Sequence, residues 1–286
     1  LITLVLGVLI GIGYLGPGAI GPQAEGGSPQ AEKIKTLYLI TLGIGFVVFM
    51  IVEGTLIWAL VRDRYRRGAP APRQVRGNTR LELGWTIGAT VILIVLAAIT
   101  FAMLPGIREP AASDPGALAQ TRGVALATTD QPPPPDGKGL TIRVVGQQYI
   151  WRHDYPGGVY SFYEMVVPTN TTILLDITST DVIHAYWIPA LFGKADAVPG
   201  HVNHTWFKVR EPGVYYGNCT ELCGENHAQM VQQVRAVPPD EYRAWHAQQQ
   251  QGIRESAAYL SLSRRLREGE SNEASQQGEA QGENER

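Results

Sequence analysis

The chain has 286 residues, 44% of them hydrophobic, a formal net charge of −2 and two cysteines. That charge balance excludes the basic field of a nucleic-acid binder, and two cysteines exclude a multi-disulfide scaffold. The distribution excludes a single soluble globule as well, because the first hundred residues are nearly all apolar or small and the last thirty nearly all polar.

Residues 1–34 open with an apolar stretch, 1–20, broken by glycine and proline. It fits the hydrophobic region of a signal peptide, with a third membrane span as the alternative. No cysteine follows it, which argues against a lipoprotein anchor. Residues 35–105 read as a helical hairpin. Within them, 37–61 is a 25-residue apolar run with one charged group, Glu53, and 83–104 is a 22-residue run with none. About 20 apolar residues suffice to cross a bilayer as a helix. The connector carries Arg62, Arg64, Arg66, Arg67, Arg73, Arg76 and Arg80 against Asp63. Short arginine-rich loops stay cytoplasmic, so everything after the hairpin is expected outside the cytoplasm, as in a multi-pass protein of a bacterial-type cell membrane.

Residues 106–138 are rich in proline, alanine and glycine and include Pro132-Pro133-Pro134-Pro135. They read as a semi-rigid spacer that lifts the next domain off the bilayer. From 139 to 250 a period-two pattern takes over. Strand signals fall at 141–145, 172–177, 182–188, 204–209, 214–216 and 230–237, separated by turns such as Pro156-Gly157-Gly158 and Glu211-Pro212-Gly213. Short strands at this spacing predict a β-sandwich or barrel, closed by a helix opening at Pro238-Pro239-Asp240-Glu241. The polar residues 251–286 bury too little apolar surface to offset their ordering entropy and are expected to be disordered.

The chemistry concentrates in Cys219-Thr220-Glu221-Leu222-Cys223-Gly224-Glu225-Asn226-His227-Ala228-Gln229-Met230. Two thiols, an imidazole and a thioether lie within twelve residues, and His184 lies upstream in a strand signal. Residue types leave three readings open. Paired cysteines oxidise outside the cytoplasm. Zinc takes sulfur and nitrogen ligands, but has no use for Met230. Thiolate, imidazole and a weak thioether form the copper electron-transfer set, and two cysteines four residues apart can bridge two copper ions.

With Asp181-Val182-Ile183-His184 and Lys194-Ala195-Asp196-Ala197-Val198-Pro199-Gly200, this run resembles the cytochrome c oxidase subunit 2 family of haem–copper oxidases, over about residues 35–237. The resemblance implies a membrane-anchored all-β protein, a two-helix transmembrane hairpin followed by a cupredoxin-like Greek-key β-barrel. It implies a dinuclear copper centre in which Cys219 and Cys223 bridge both ions. His184 and Met230 complete one ion, His227 and the carbonyl of Glu221 the other. It further implies a magnesium ligand in the carboxylate of Glu221, a proton-channel mouth at Glu82, subunits 1 and 3 as partners and cytochrome c as donor. Electrons would pass to haem in subunit 1, where oxygen is reduced and protons are pumped.

The chain departs from the family in its aromatic run, Gln147-Gln148-Tyr149-Ile150-Trp151. Trp151 fits, but Tyr149 stands where the family's electron-accepting tryptophan is usual, and the resemblance makes both rings candidates for electron entry. Asp154, Asp181, Asp196 and Glu225 are candidates for steering a basic donor. There is no Cys-x-x-Cys-His, hence no covalent haem motif. Two rivals remain, a quinol-oxidase subunit that has lost copper and a membrane-tethered copper electron carrier. The intact ligand set argues against the first, and the hairpin with Glu82 against the second.

Overall fold

The computed structural model describes residues 27–64, 68, 74–115, 117, 118 and 134–284. The signal-peptide reading of 1–20, the first two prolines of the Pro132–135 run and much of the arginine-rich connector lie outside the described residues.

Two long helices come first, α1 (Pro29–Arg62) and α2 (Thr79–Met103). Both are apolar enough to cross a membrane, and the apolar stretch of each has no side chain buried inside the protein. Their exposed Phe46, Ile51, Trp58, Leu83, Ile94 and Phe101 suit a hydrocarbon solvent. Hydroxyls within the spans satisfy themselves on the preceding turn: Thr41 donates to Leu37 O, Thr55 to Ile51 O and Thr90 to Thr86 O at 2.7–2.9 Å. Asn78 caps α2 by accepting the Leu81 N–H, and its own N–H donates to the Glu82 carboxylate at 3.0 Å.

A helical turn, α3 (Pro105–Arg108), leads into the spacer. The start of that spacer does not hold the domain at a distance; it lies against it. Asp114 N–H donates to Asn170 O, Thr172 N–H to Ser113 Oγ, and the buried Lys208 ammonium to Asp114 and Ala112 O at 2.8 and 2.9 Å. A lysine with four-fifths or more of its side chain withdrawn from water requires such partners, and the spacer supplies both of them. Ser28 Oγ accepts the Lys208 N–H, while Gln30 Nε2 and Trp206 Nε1 both donate to Ile107 O. Hairpin, spacer and domain are thereby joined.

The domain has ten strands: β1 (Leu140–Gln147), β2 (Ile150–Tyr155), β3 (Val159–Phe162), β4 (Glu164–Pro168), β5 (Thr172–Ser179), β6 (His184–Trp187), β7 (Ala195–Ala197), β8 (Asn203–Lys208), β9 (Gly213–Cys219) and β10 (Val231–Val237). They form two five-stranded sheets, ordered β3-β2-β1-β5-β8 and β4-β10-β9-β6-β7. The pairs β1–β5 and β4–β10 are parallel, which a meander cannot produce and crossed Greek-key connections can. Trp151, Tyr186, Phe192, Phe207, Ile142, Ile173 and Leu175 fill the space between the sheets.

A final helix, α4 (Pro239–Asn284), closes the open end between β3 and β4. Tyr242 is buried, Trp245 meets Tyr155 edge-on at 5.1 Å, and Gln250 Nε2 donates to Gly157 O. Over the polar tail, expected to be disordered, α4 continues to Asn284. Glutamate, glutamine, alanine and arginine are good helix formers, and once three packed turns have met the nucleation cost, extension is cheap.

His153 on β2 is wholly buried, and burial holds its imidazole at about 3, so it is neutral in the fold. The unfolded chain takes up this proton below the ordinary value of 6.5, and the folded chain does not. Stability therefore falls as pH drops through that window. His153→Gln should lose less stability than the parent between pH ~7 and pH ~4, checked by thermal melts of the metal-free chain.

Candidate metal centre

Three segments of the second sheet converge. His184 begins β6, Cys219 ends β9 and Met230 precedes β10. Pairing of β6 with β9 sets Tyr186 opposite Cys219, and Cys219 N–H donates to Met230 O at 2.9 Å. The intervening loop turns at Gly224, whose φ of +133° disfavours any side chain, and the Gly224 carbonyl then accepts the His227 N–H.

All six predicted donors come together. Cys219 Sγ and Cys223 Sγ are 3.9 Å apart, and both thiols are free. His184 Nδ1 lies 3.9 Å and Glu221 O 3.4 Å from Cys219 Sγ. His227 Nδ1 lies 3.5 Å and Met230 Sδ 3.8 Å from Cys223 Sγ. His184, Cys219, Cys223 and Met230 are buried. Burial, then the neighbouring Cys219 thiol, pushes the Cys223 thiol up to about 11. The thioether in this set is a donor zinc would not use, whereas it fits a soft copper site.

The surroundings fix this arrangement. Asp181 Oδ1 accepts from His184 Nε2 at 2.9 Å, which leaves Nδ1 facing the sulfur. Partial burial disfavours the Asp181 carboxylate, but hydrogen bonds from the Gln148 N–H, His184 and the Val182 N–H outweigh it and bring the group down to about 2. Gln148 Nε2 donates to Cys223 O at 2.6 Å. The β1–β2 turn thus clips both sides of the donor cluster. Gln148, which no spacing rule singles out, is a site residue the sequence reading missed.

Tyr149 rides on that turn. It is half-buried, and a Cβ on Gly224 would collide with its hydroxyl. Trp151 is wholly buried and meets His184 edge-on at 5.7 Å. Glu221 turns its carbonyl toward the thiols and leaves its side chain exposed. Glu82 is far along the chain at the start of α2, engaged with its own helix cap. Of the four acids read as a steering patch, Asp154 pairs with Arg152 at 2.7 Å and Asp181 turns inward to His184.

Fold and site together define a class: a β-sandwich carried on two apolar helices, with a buried cluster of sulfur and imidazole donors that suits a soft metal. The sequence matches two family descriptions, "Cytochrome C oxidase subunit II, transmembrane domain" over residues 19–103 and "Cytochrome C oxidase subunit II, periplasmic domain" over residues 160–237. It is 32% identical to cytochrome c oxidase subunit 2 of Synechocystis sp., over 86% of this chain and 81% of that protein. It is 31% identical to that of Thermostichus vulcanus, over 80% and 79%. The subunit of Alkalihalophilus pseudofirmus is 32% identical over 76% of this chain, and the match spans 58% of that relative's length. Among solved structures, the periplasmic domain of subunit II of the Bradyrhizobium japonicum cytochrome oxidase is 37% identical, covering 40% of this chain and 96% of that one at a TM-score of 0.39. The chain belongs to the cytochrome c oxidase subunit 2 family.

Gly224→Ala introduces both a side chain at φ +133° and a collision with Tyr149. A loss of about 1–3 kcal/mol is expected, read by denaturant unfolding of the metal-free chain.

Proposed function

We propose that the six donors hold two copper ions, and that the protein takes electrons from cytochrome c and delivers them to haem in subunit 1. The observation that carries this reading is the pair of thiols 3.9 Å apart, each flanked by one imidazole nitrogen and one weaker donor. Cys219, Cys223, His184, His227, Met230 and the Glu221 carbonyl would hold the copper ions, which would supply one-electron transfer with little rearrangement of these donors. The protein's part is to keep its donors still. Strand ends supply Cys219 and His184, Asp181 fixes the imidazole of His184, and Gln148 fixes the loop carbonyl of Cys223.

Tyr149 is the port for the donor in this reading, since its ring is partly exposed and lies against the loop after Cys223. Trp151, wholly buried, is a contact of His184 and not a surface for docking. Exposed Ile150, Val182 and Ile183 flank the same turns, so the donor meets an apolar rim more than an acidic one. The Glu221 carboxylate, free of the donor cluster, serves as one magnesium ligand at the contact with subunit 1. Glu82 would leave its cap to take part in proton uptake on the cytoplasmic side, and subunit 3 completes the membrane assembly. The sandwich would lie outside the cytoplasm, as the arginine-rich connector requires.

Metal analysis with electron paramagnetic resonance of the full chain in detergent tests the centre. Two coppers sharing one unpaired electron are expected; an isolated single-copper spectrum or zinc alone would refute it. Met230→Leu should keep copper and shift its potential, whereas Cys223→Ser should abolish the shared-electron spectrum. Identical behaviour of the two variants would contradict the ligand roles.

Tyr149→Ala should slow the first-order reduction of copper at saturating donor and leave the copper spectrum intact, while Tyr149→Trp restores the rate. Stopped-flow reduction at several donor concentrations separates this step from docking, which shows in the second-order rate and its salt slope.

A further inference from the structure

His153 lies on β2, wholly buried and outside the donor set. Its Nε2 is 3.2 Å from the hydroxyl of Tyr186, also wholly buried. Tyr186 stands on β6 two positions after His184, with its backbone paired to Cys219. The Tyr186 ring meets Trp151 edge-on, centroids 4.8 Å apart at 74°, and Trp151 in turn meets His184 edge-on at 66°. Gly146 completes the enclosure from β1. A Cβ there would stand 2.9 Å from Trp151 Cζ3 and 3.0 Å from His184 Cδ2. The carbon edge of the His184 ring is therefore pressed between Trp151 and the Gly146 backbone, while Asp181 holds its far nitrogen.

Packing alone does not explain this chemistry. Phenylalanine and leucine would fill the same volume without burying a hydroxyl and an imidazole, each of which costs free energy unless paired. A hydrogen-bonded polar pair inside an apolar core selects one arrangement of the rings around it. The selected arrangement is the one that bears on a metal ligand.

We propose that His153 and Tyr186 are positioning residues for the metal centre: their hydrogen bond locks the Tyr186 ring, which through Trp151 fixes the plane of the His184 imidazole. This rests on the copper reading above. The orientation of a ligating imidazole governs how much of the unpaired electron it shares, so the effect belongs in the spectrum and the potential.

The test uses the copper-loaded full chain in detergent and four variants: Tyr186→Phe, His153→Leu, the two combined, and His153→Gln, which keeps a partner for the hydroxyl. Tyr186→Phe and His153→Leu should each alter the copper hyperfine pattern and shift the midpoint potential in the same direction. The combined variant should shift it no further than the larger single change, because both remove one interaction. His153→Gln should return toward the parent. Thermal melts of the metal-free chains are read alongside; should His153→Leu fail to fold, Tyr186→Phe and His153→Gln decide. Native hyperfine pattern and potential in Tyr186→Phe, whatever its melting temperature, or additive shifts in the combined variant, would overturn the proposal and leave the pair as packing. A parent chain without a shared-electron spectrum would overturn the copper reading and this inference with it, so the two failures are distinguishable.

Discussion

Two thiols buried side by side cannot both ionise without help. Burial and the neighbouring Cys219 thiol push the Cys223 thiol up to about 11, so in the metal-free chain it keeps its proton at neutral pH. A soft cation removes that conflict by supplying the positive charge that water would otherwise provide, and protons leave as it arrives. The rest of the domain answers to this constraint. The donors must stand ready before the metal comes, and they do so because β6 and β9 are paired where His184 and Cys219 emerge.

The surroundings divide the work between polar and apolar means. Asp181 and Gln148 hold the donor cluster by hydrogen bonds from two adjoining turns, whereas Trp151 and Gly146 hold it by contact. Gly146 shows how narrow the fit is, since a single methyl group there would meet both an indole and a ligand imidazole. Cores at this density respond to a methylene's worth of volume, so changes in apolar packing near the site would shift its donors.

What could be read from the sequence was what is local. Cys219, Glu221, Cys223, His227 and Met230 share one loop, and their chemistry is written in their spacing; His184 followed from its neighbours in Asp181-Val182-Ile183-His184. The spans followed from length and hydropathy. Strand β2 escaped because its inward positions are Trp151, His153 and Tyr155 and its outward ones Ile150, Arg152 and Asp154, which blurs the alternation of apolar and polar. The edge strands β3 and β7, of four and three residues, are too short to show a period. Gly146, Gln148 and the His153–Tyr186 pair acquire meaning only when strands distant in sequence meet. For the same reason, the partners of two of the steering candidates, Asp154 and Asp181, become visible only in the folded chain. The helical tail reflects a different limit: low hydrophobicity forbids a core, but it does not forbid a helix already nucleated.

The fastening of the hairpin to the sandwich has a mechanical consequence. Trp206 and Gln30 share the carbonyl of Ile107, and Lys208 grips both Ser28 and the spacer at Asp114. These bonds join the point where one helix meets the domain to the point where the other leaves the bilayer. The domain is consequently mounted as a bracket rather than hung from a tether. Electron tunnelling weakens steeply with distance, and a bracket would hold the height and tilt of a metal bound in the donor cluster constant against the membrane plane. A change of bilayer thickness that tilted the two helices would be carried through this joint as a lever, altering the reach of the centre toward its acceptor without touching any of its ligands.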